Sequence, residues 1–293
     1  MSWPRPTPRR LLAVAAGLIV LVGLQLGCAA LDERQRAWIF QPSDRSWPAG
    51  AAAAQGMGDV WIDYPAAGST PDVAPVRLHG LWLDGPRADA PVLLYLHGAR
   101  WDVRSSAHRM RRLQGLGFAV LGIDYRGFGQ STHALPSEAM AVEDARAAWD
   151  WLARTRPGRP RYVFGHSLGA AIAVELTRQV DDARGLIVEG AFTSMPDLVR
   201  HFEWGWLPVG PLITQRFDAA AGIAQVHVPV LVVHGSEDRL IPPDLGRALF
   251  ERANPPKRFV LVDGGSHHNA NAVGLASVRQ AVNELFGIGA APQ

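Results

Sequence analysis

The stretch Arg161-Tyr-Val-Phe-Gly-His-Ser-Leu-Gly169 and its continuation Ala170-Ala-Ile-Ala-Val-Glu-Leu176 decide the fold of this chain. They read as an apolar strand, a Gly-x-Ser-x-Gly turn and a helix of small and apolar residues. So tight a turn strains the serine backbone, and side chains two residues before or after Ser167 would collide, which requires Gly165 and Gly169. The Ser167 hydroxyl then stands clear at a helix N-terminus. The stretch therefore predicts a nucleophilic serine.

An acid that could orient a catalytic histidine follows a later strand. The run Val228-Pro-Val-Leu-Val-Val-His234 predicts a buried strand, and it ends in Gly235-Ser-Glu-Asp238. Parallel-sheet enzymes place chemistry just beyond the carboxyl ends of their strands. After a serine elbow the expected order is serine, acid, histidine. We predict Asp238 as the acid, with Glu237 as the alternative. Without catalysis, Asp238 would cap the helix that begins near Pro243.

Two adjacent histidines are candidates for the base. Phe259-Val-Leu-Val-Asp263 predicts a strand, and Gly264-Gly-Ser-His267-His268 is the loop at its end. Neighbouring residues on an extended loop point to opposite sides, so only one ring can face the serine. We predict His267 as the base and keep His268 as the alternative.

The loop after an earlier strand predicts part of an oxyanion hole. Pro91-Val-Leu-Leu-Tyr-Leu96 is followed by His97-Gly98-Ala99. An oxyanion hole of this kind uses the N–H of the residue after the nucleophile and one N–H from this loop. Leu168 and Ala99 are the predicted donors, through their backbones. His97 is interpreted as a structural residue that shapes the loop.

Five motifs together resemble a known superfamily; they are Leu96-His-Gly98, Asp124-Tyr-Arg-Gly-Phe-Gly-Gln-Ser131, Gly165-His-Ser-Leu-Gly169, Val233-His-Gly-Ser-Glu-Asp238 and Gly264-Gly-Ser-His267. The chain resembles the α/β-hydrolases over residues 59–286. Within them it is similar to the serine aminopeptidase-like and bud-emergence-type membrane-associated hydrolases. The resemblance implies that Ser167, Asp238 and His267 form a triad.

The alternation of strand and helix patterns predicts an α/β fold. We expect a mostly parallel eight-stranded sheet flanked by helices, with an antiparallel hairpin at one edge. The predicted strands are 59–64, 76–84, 91–97, 118–123, 161–165, 185–189, 229–234 and 258–262. The predicted helices lie near 104–115, 137–155, 168–179, 243–252 and 273–286.

Residues 193–226 are too long for a simple crossover and predict a small cap over the site. The aromatic and apolar side chains of Trp204, Trp206 and Leu207 are candidates for a substrate pocket, and packing on the domain is the alternative. Glu203 could bind the N-terminus of a peptide substrate, although a surface glutamate is commoner.

The N-terminus predicts export and membrane attachment. Arg9 and Arg10 precede seventeen uncharged residues, 11–27, and then Cys28, the single cysteine of the chain. Residues 1–27 read as a signal peptide or an uncleaved signal anchor. Cys28 is the candidate lipid-attachment residue of a bacterial lipoprotein. We predict a tether over 28–58, the hydrolase domain over 59–286 and a tail over 287–293.

Composition excludes several classes. The formal net charge is +2, and the leader contributes Arg5, Arg9 and Arg10, so the remainder gives no indication of nucleic-acid binding. We see no metal-ligand spacing and expect no cofactor. A single lysine among 29 basic residues is typical of a GC-rich bacterial genome.

The sequence thus predicts a serine hydrolase of the bacterial cell envelope that cleaves carboxylic esters through an acyl-enzyme. Thioesters and small peptides are the alternative substrates. A non-catalytic membrane scaffold is the alternative from another class, and the sequence indicates no oligomeric state.

Overall fold

Eight strands form one sheet in the computed structural model, which describes residues 25, 27–202 and 205–289. The strands are β1 Gly58–Tyr64, β2 Val76–Leu83, β3 Val92–Leu96, β4 Ala119–Ile123, β5 Arg161–His166, β6 Ala183–Glu189, β7 Val230–Gly235 and β8 Lys257–Val262. Their order in the sheet is β1-β2-β4-β3-β5-β6-β7-β8. β2 pairs antiparallel with both β1 and β4, and the other neighbours are parallel.

Helices pack on both faces of this sheet. They are α1 at residues 27–40, α2 Pro48–Ala53, α3 Ala107–Gly115, α4 Glu138–Thr155, α5 Leu168–Gln179, α6 Met195–Arg200, α7 Ala219–Ile223, α8 Pro243–Arg252, α9 Ala270–Val273 and α10 Leu275–Phe286. Short 3₁₀ turns cover Val103–Ser106 and Gly210–Leu212. The side chain of Ser137 caps α4 by accepting from the Met140 N–H at 3.2 Å.

Apolar side chains cover both faces of the central strands. Every residue of β3, β4 and β7 is buried. Strands that are buried on both sides need continuous apolar character, which is what the runs in the sequence show. One apolar cluster packs under α4 and α5, and a second packs under α3 and α10. The predicted α/β-hydrolase architecture is confirmed, including its antiparallel edge.

Two predicted helices differ from the observed ones. The pattern near 104–115 begins with the 3₁₀ turn Val103–Ser106 before α3. The pattern near 273–286 is divided at Gly274 into α9 and α10. A Cβ at Gly274 would overlap the Val262 side chain, so the chain passes β8 more closely than a continuous helix with side chains allows.

The segment 28–58, predicted as a tether, packs on the domain from Ile39 onward. Ile39 and Phe40 are buried in the core. The Arg100 N–H donates to the Phe40 carbonyl at 3.0 Å, and the Gly129 N–H donates to the Ser43 carbonyl at 3.0 Å. The apolar end of α1 explains the attachment, since exposing both side chains to water is unfavourable.

The predicted leader falls almost wholly outside the described residues, as do Glu203 and Trp204. Cys28 is described and is exposed near the start of α1. Within the described ranges, no helix combines the length and apolar character that crossing a bilayer requires. In the predicted cap region, α6, the Gly210–Leu212 turn and α7 connect β6 to β7.

Candidate active site

Ser167 lies between β5 and α5 in a strained backbone conformation. Its φ is 57° and its ψ is −123°, a combination that L-residues rarely adopt. A Cβ at Gly165 would overlap the Gly169 carbonyl, and a Cβ at Gly169 would overlap the Leu96 and His97 carbonyls. The Ser167 N–H donates to the Glu189 carbonyl at 2.9 Å, which ties the turn to the end of β6. The elbow therefore has the geometry that its sequence predicts.

Asp238 and His267 meet at the carboxyl edge of the sheet. The distance from His267 Nδ1 to Asp238 Oδ2 is 2.7 Å, and both side chains are buried. Asp238 Oδ1 accepts from the N–H groups of Leu240 and Ile241 at 3.0 and 2.9 Å. The carboxylate is thus held by the turn after β7 and presents its other oxygen to the imidazole.

The environment keeps Asp238 ionised. Burial alone would raise the pKa of Asp238, but hydrogen bonds from His234 and His267 and from the Ile241 N–H outweigh it and hold the pKa well below its usual range. An ionised Asp238 fixes the Nδ1–H tautomer of His267, which leaves Nε2 as the acceptor. This is the protonation state that a general base requires.

The two alternatives to these residues are placed differently. His268 is exposed, and its ring stands edge-on to that of His267 with the centroids 5.3 Å apart. Among the described residues, the His268 ring has no hydrogen-bond partner. Glu237 is exposed, and the contact of its backbone is with the Gly265 carbonyl at 2.8 Å. Only Asp238 and His267 are brought together as a pair.

His267 reaches the elbow through its neighbours. The Glu189 carbonyl binds the Ser167 N–H, and Gly190 is the next residue in the chain. A Cβ on Gly190 would lie 3.1 Å from His267 Cε1, so the His267 ring packs against this segment. The ring of His166 packs 4.9 Å from that of His267, and its Nε2 lies 3.0 Å from the His267 carbonyl. Within the described part of the chain no hydrogen bond joins Ser167 Oγ to His267. Such bonds are often long without substrate.

The predicted oxyanion loop faces the serine. A Cβ at Gly98 would lie 3.5 Å from Ser167 Oγ, so the β3 loop passes directly beside the hydroxyl. Leu168 is the first residue of α5, where backbone N–H groups lack helical acceptors. The hydrogen bonds found over the described ranges leave the N–H groups of Leu168 and Ala99 without an acceptor. Both are available to a negatively charged oxygen.

His97 shapes this loop, as predicted. Its ring is buried, Nδ1 lies 2.6 Å from the Gly98 carbonyl, and Nε2 lies 3.6 Å from Asp124. Burial lowers the pKa of His97, so the ring is neutral near pH 7. The Tyr125 hydroxyl donates to the His97 carbonyl at 3.1 Å. These contacts fix the backbone from which Gly98 and Ala99 extend.

Three buried residues beneath the site had no predicted role. Arg109 in α3 pairs with Glu189 at 3.3 Å, and its Nη2 also donates to the His268 carbonyl at 3.3 Å. Burial lowers the pKa of His166 well below its usual range, and the positive charge of Arg109 adds to the effect. Arg109 and Glu189 are 80 residues apart, and no spacing rule links them.

Trp206 and Leu207 are described and do not form an enclosed pocket. Trp206 is 74% exposed and Leu207 is 38% exposed. They join Leu31, Trp38, Phe202 and Leu212 as large exposed apolar side chains. Trp38 and Phe202 pack edge to face with ring centroids 6.4 Å apart, and Gln35 Nε2 donates to the Leu212 carbonyl at 2.7 Å. We call these six residues the exposed apolar face.

The fold and the strained serine elbow define a serine hydrolase with an α/β-hydrolase architecture. Over the described ranges, no group of three or more histidine, cysteine, aspartate or glutamate side chains is arranged to hold a metal ion.

Comparison with known proteins places the chain in a family. A family model described as "Serine aminopeptidase, S33" matches residues 87–217. An uncharacterised protein of Mycobacterium tuberculosis is 33% identical over 284 residues, which cover 94% of each chain. The lysophosphatidylserine lipase ABHD12 of Danio rerio is 31% identical over 209 residues, which cover 61% of this chain and 54% of the lipase. The chain belongs to the α/β-hydrolase superfamily, and it spans about half the length of these lipases.

Solved structures share the fold. An esterase of Pyrococcus furiosus superimposes with a TM-score of 0.66 and 20% identity, covering 85% of this chain and 97% of the esterase. Est1E of Butyrivibrio proteoclasticus superimposes with a TM-score of 0.58 and 18% identity, covering 78% and 96%. The protein is an esterase- or lipase-like serine hydrolase.

Proposed function

We propose that the protein is a membrane-tethered hydrolase of carboxylic esters that uses Ser167 as its nucleophile. His267 takes the proton of Ser167 and then delivers it to the leaving alkoxide. Asp238 holds the imidazole and stabilises its charged form. The N–H groups of Leu168 and Ala99 bind the oxyanion, and water then hydrolyses the acyl-enzyme. The observation that carries this proposal is the 2.7 Å contact of Asp238 with His267 beside the strained elbow.

Esters are favoured over amides because an alkoxide leaves more readily than an amine. A lysophosphatidylserine lipase among the relatives favours an acyl ester of an amphiphile as the substrate class. Thioesters and short peptides are the alternatives, and Glu203 would be the residue to recognise a peptide N-terminus.

The exposed apolar face supports attachment to a bilayer. Large exposed apolar side chains can mark an interaction site, and tryptophan is favoured where membrane meets water. The uncharged residues 11–27 lead directly into α1, which carries Leu31 and Trp38 of this face. Anchoring the leader would therefore bring the predicted cap, residues 193–226, to the lipid surface. The location that follows is the bacterial cell envelope.

Labelling with a fluorophosphonate tests the mechanism, because only an activated serine reacts. We expect the wild type to be labelled and Ser167→Ala to remain unlabelled and inactive on a series of p-nitrophenyl esters. His267→Ala should lose about 10³-fold or more in turnover. His268→Ala serves as the matched control and should remain active. A labelled Ser167→Ala protein, or an inactive His268→Ala with an active His267→Ala, would refute these roles.

A further inference from the structure

A surface cleft of about 720 Å³ opens next to the β3 loop. Its walls come from residues 41–45, from Arg100 and Trp101, and from residues between 127 and 133 in the loop after β4. Gly98 stands directly beside Ser167 Oγ. Two peptide steps of about 3.8 Å separate Gly98 from Arg100, so their Cα atoms are at most about 7.6 Å apart. The Arg100 wall of the cleft is therefore two residues along the chain from the glycine that lies beside the nucleophile.

The cleft carries an excess of positive charge. Arg45 and Arg100 both line it and are exposed. Asp44 is the acidic residue of its lining, whereas Gln130 and His133 add polar groups. Over the described ranges neither arginine forms an ion pair. Two unpaired guanidinium groups with one carboxylate leave a site that attracts anions.

The backbone holds Arg100 in place at the cost of strain. Its φ is 85°, and its N–H donates to the Phe40 carbonyl at 3.0 Å. Gln41, which follows Phe40 in the chain, also has a positive φ, of 46°. Conformations of this kind cluster where a surrounding structure presents a functional side chain. The two strained residues bring the segment that carries Arg45 against the loop that carries Arg100.

Arg100 directly follows Ala99, whose N–H is a predicted oxyanion donor, so the chain itself joins the cleft wall to the loop beside the nucleophile. Trp101, 47% exposed, offers an aromatic surface on the same wall.

We propose that this cleft binds a phosphate group of the ester substrate, with Arg45 and Arg100 as its ligands. The inference rests on the proposed esterase function and adds the substrate's charged group to it. Guanidinium groups bind phosphate through paired N–H···O contacts. Two guanidinium groups carry a charge of +2, which matches a phosphate dianion better than it matches the single charge of a carboxylate. The acyl ester would then lie at Ser167 while the phosphate occupies the cleft.

Two soluble substrates with the same acyl chain and the same ester test the proposal: 1-hexanoylglycerol and 1-hexanoylglycerol 3-phosphate. We expect the wild type to show the higher kcat/KM on the phosphate. Arg45→Gln and Arg100→Gln should each reduce the ratio of the two kcat/KM values roughly tenfold, as expected for one lost charge-assisted hydrogen bond. Arg87→Gln is the control. Arg87 is exposed and pairs with Asp89. It lies before the amino end of β3, whereas the site lies at the carboxyl ends of the strands.

The outcomes separate the alternatives. An equal loss on both substrates would make the arginines structural, and an unchanged ratio in both variants would overturn the proposal. Inorganic phosphate should compete with the phosphate-bearing substrate. If it alters turnover of the neutral ester while the substrate's own phosphate gives no advantage, the cleft binds a free anion and the proposal is wrong. Hydrolysis of p-nitrophenyl acetate by the wild type reports separately on the esterase function.

Discussion

Glu189→Gln should destabilise the folded protein strongly, because it leaves Arg109 charged and unpaired in the interior. The pair is almost inaccessible to solvent, with side-chain exposures of 10% and 1%, and its N–O distance is 3.3 Å. With an effective dielectric constant of about 20, the attraction at this distance is about 5 kcal/mol. Removing one partner of a buried pair costs about 3–5 kcal/mol in free energy of unfolding. One oxygen of Glu189 already lacks a partner among the described residues, so little compensates the loss.

Urea unfolding measures this effect. With a slope of about 3 kcal/mol per molar urea, the midpoint should fall by about 1 M or more. The double variant Arg109→Met/Glu189→Gln should be more stable than Glu189→Gln alone, because it removes the uncompensated charge. Asp150→Asn is the control. Its pair with Arg146 is nearly half exposed on both sides and should contribute at most about 0.5 kcal/mol. A Glu189→Gln midpoint within 0.3 M of wild type (about 1 kcal/mol) would refute this reasoning. So would a double variant whose loss of stability equals the sum of the losses in Arg109→Met and Glu189→Gln.

Three further predictions concern pH, the apolar face and the anchor. Because its hydrogen bonds hold the pKa of Asp238 below its usual value, ionised Asp238 stabilises the fold above about pH 4 and loses this effect as the pH falls toward the lowered pKa. Asp238→Asn should remove that acid dependence from unfolding curves, and an unchanged curve would contradict it. If Trp206 contacts acyl chains, Trp206→Ala should weaken octanoyl esters more than acetyl esters, by up to about 0.8 kcal/mol per buried methylene; equal losses would exclude the contact. If Cys28 is lipidated, intact mass should show Cys28→Ser as an unprocessed precursor, whereas an uncleaved anchor predicts no change beyond the substitution.

The sheet could be predicted from the sequence because its strands are buried on both faces. Short continuous runs of β-branched and apolar residues, such as β7, are typical of strands that are buried on both faces of a parallel sheet. The positions of Gly165 and Gly169 followed from sterics in the same way, and the structure has the predicted close approaches. These inferences needed only local sequence, since the physical cause lies within a few residues of its effect.

The buried ion pair and the docking of α1 needed information that local sequence does not carry. Arg109 lies in a helix with several arginines, and only the fold shows that this one points toward Glu189. Phe40 is buried because residues 39–43 pack against the loops that follow β3 and β4. The alanine-rich stretch that comes next in the sequence gives no indication of this packing. The exposure of Trp206 likewise depends on how an irregular segment lies over the domain.

Buried polar groups hold the loops that carry the site. Strands pack through apolar faces, but a loop presents backbone N–H and C=O groups that must find partners. Asp124 accepts from the Val103 N–H at 2.6 Å, and Asp144 accepts from the Arg126 N–H at 2.8 Å and from its side chain. Arg109 Nη2 holds the loop after β8 by donating to the His268 carbonyl at 3.3 Å. Each contact joins a loop at the carboxyl edge to a neighbouring element. Neutralising the charge of Asp124, Asp144 or Arg109 should therefore lower both activity and stability. The same hydrogen bonds hold the loops of the site and satisfy polar groups in the interior.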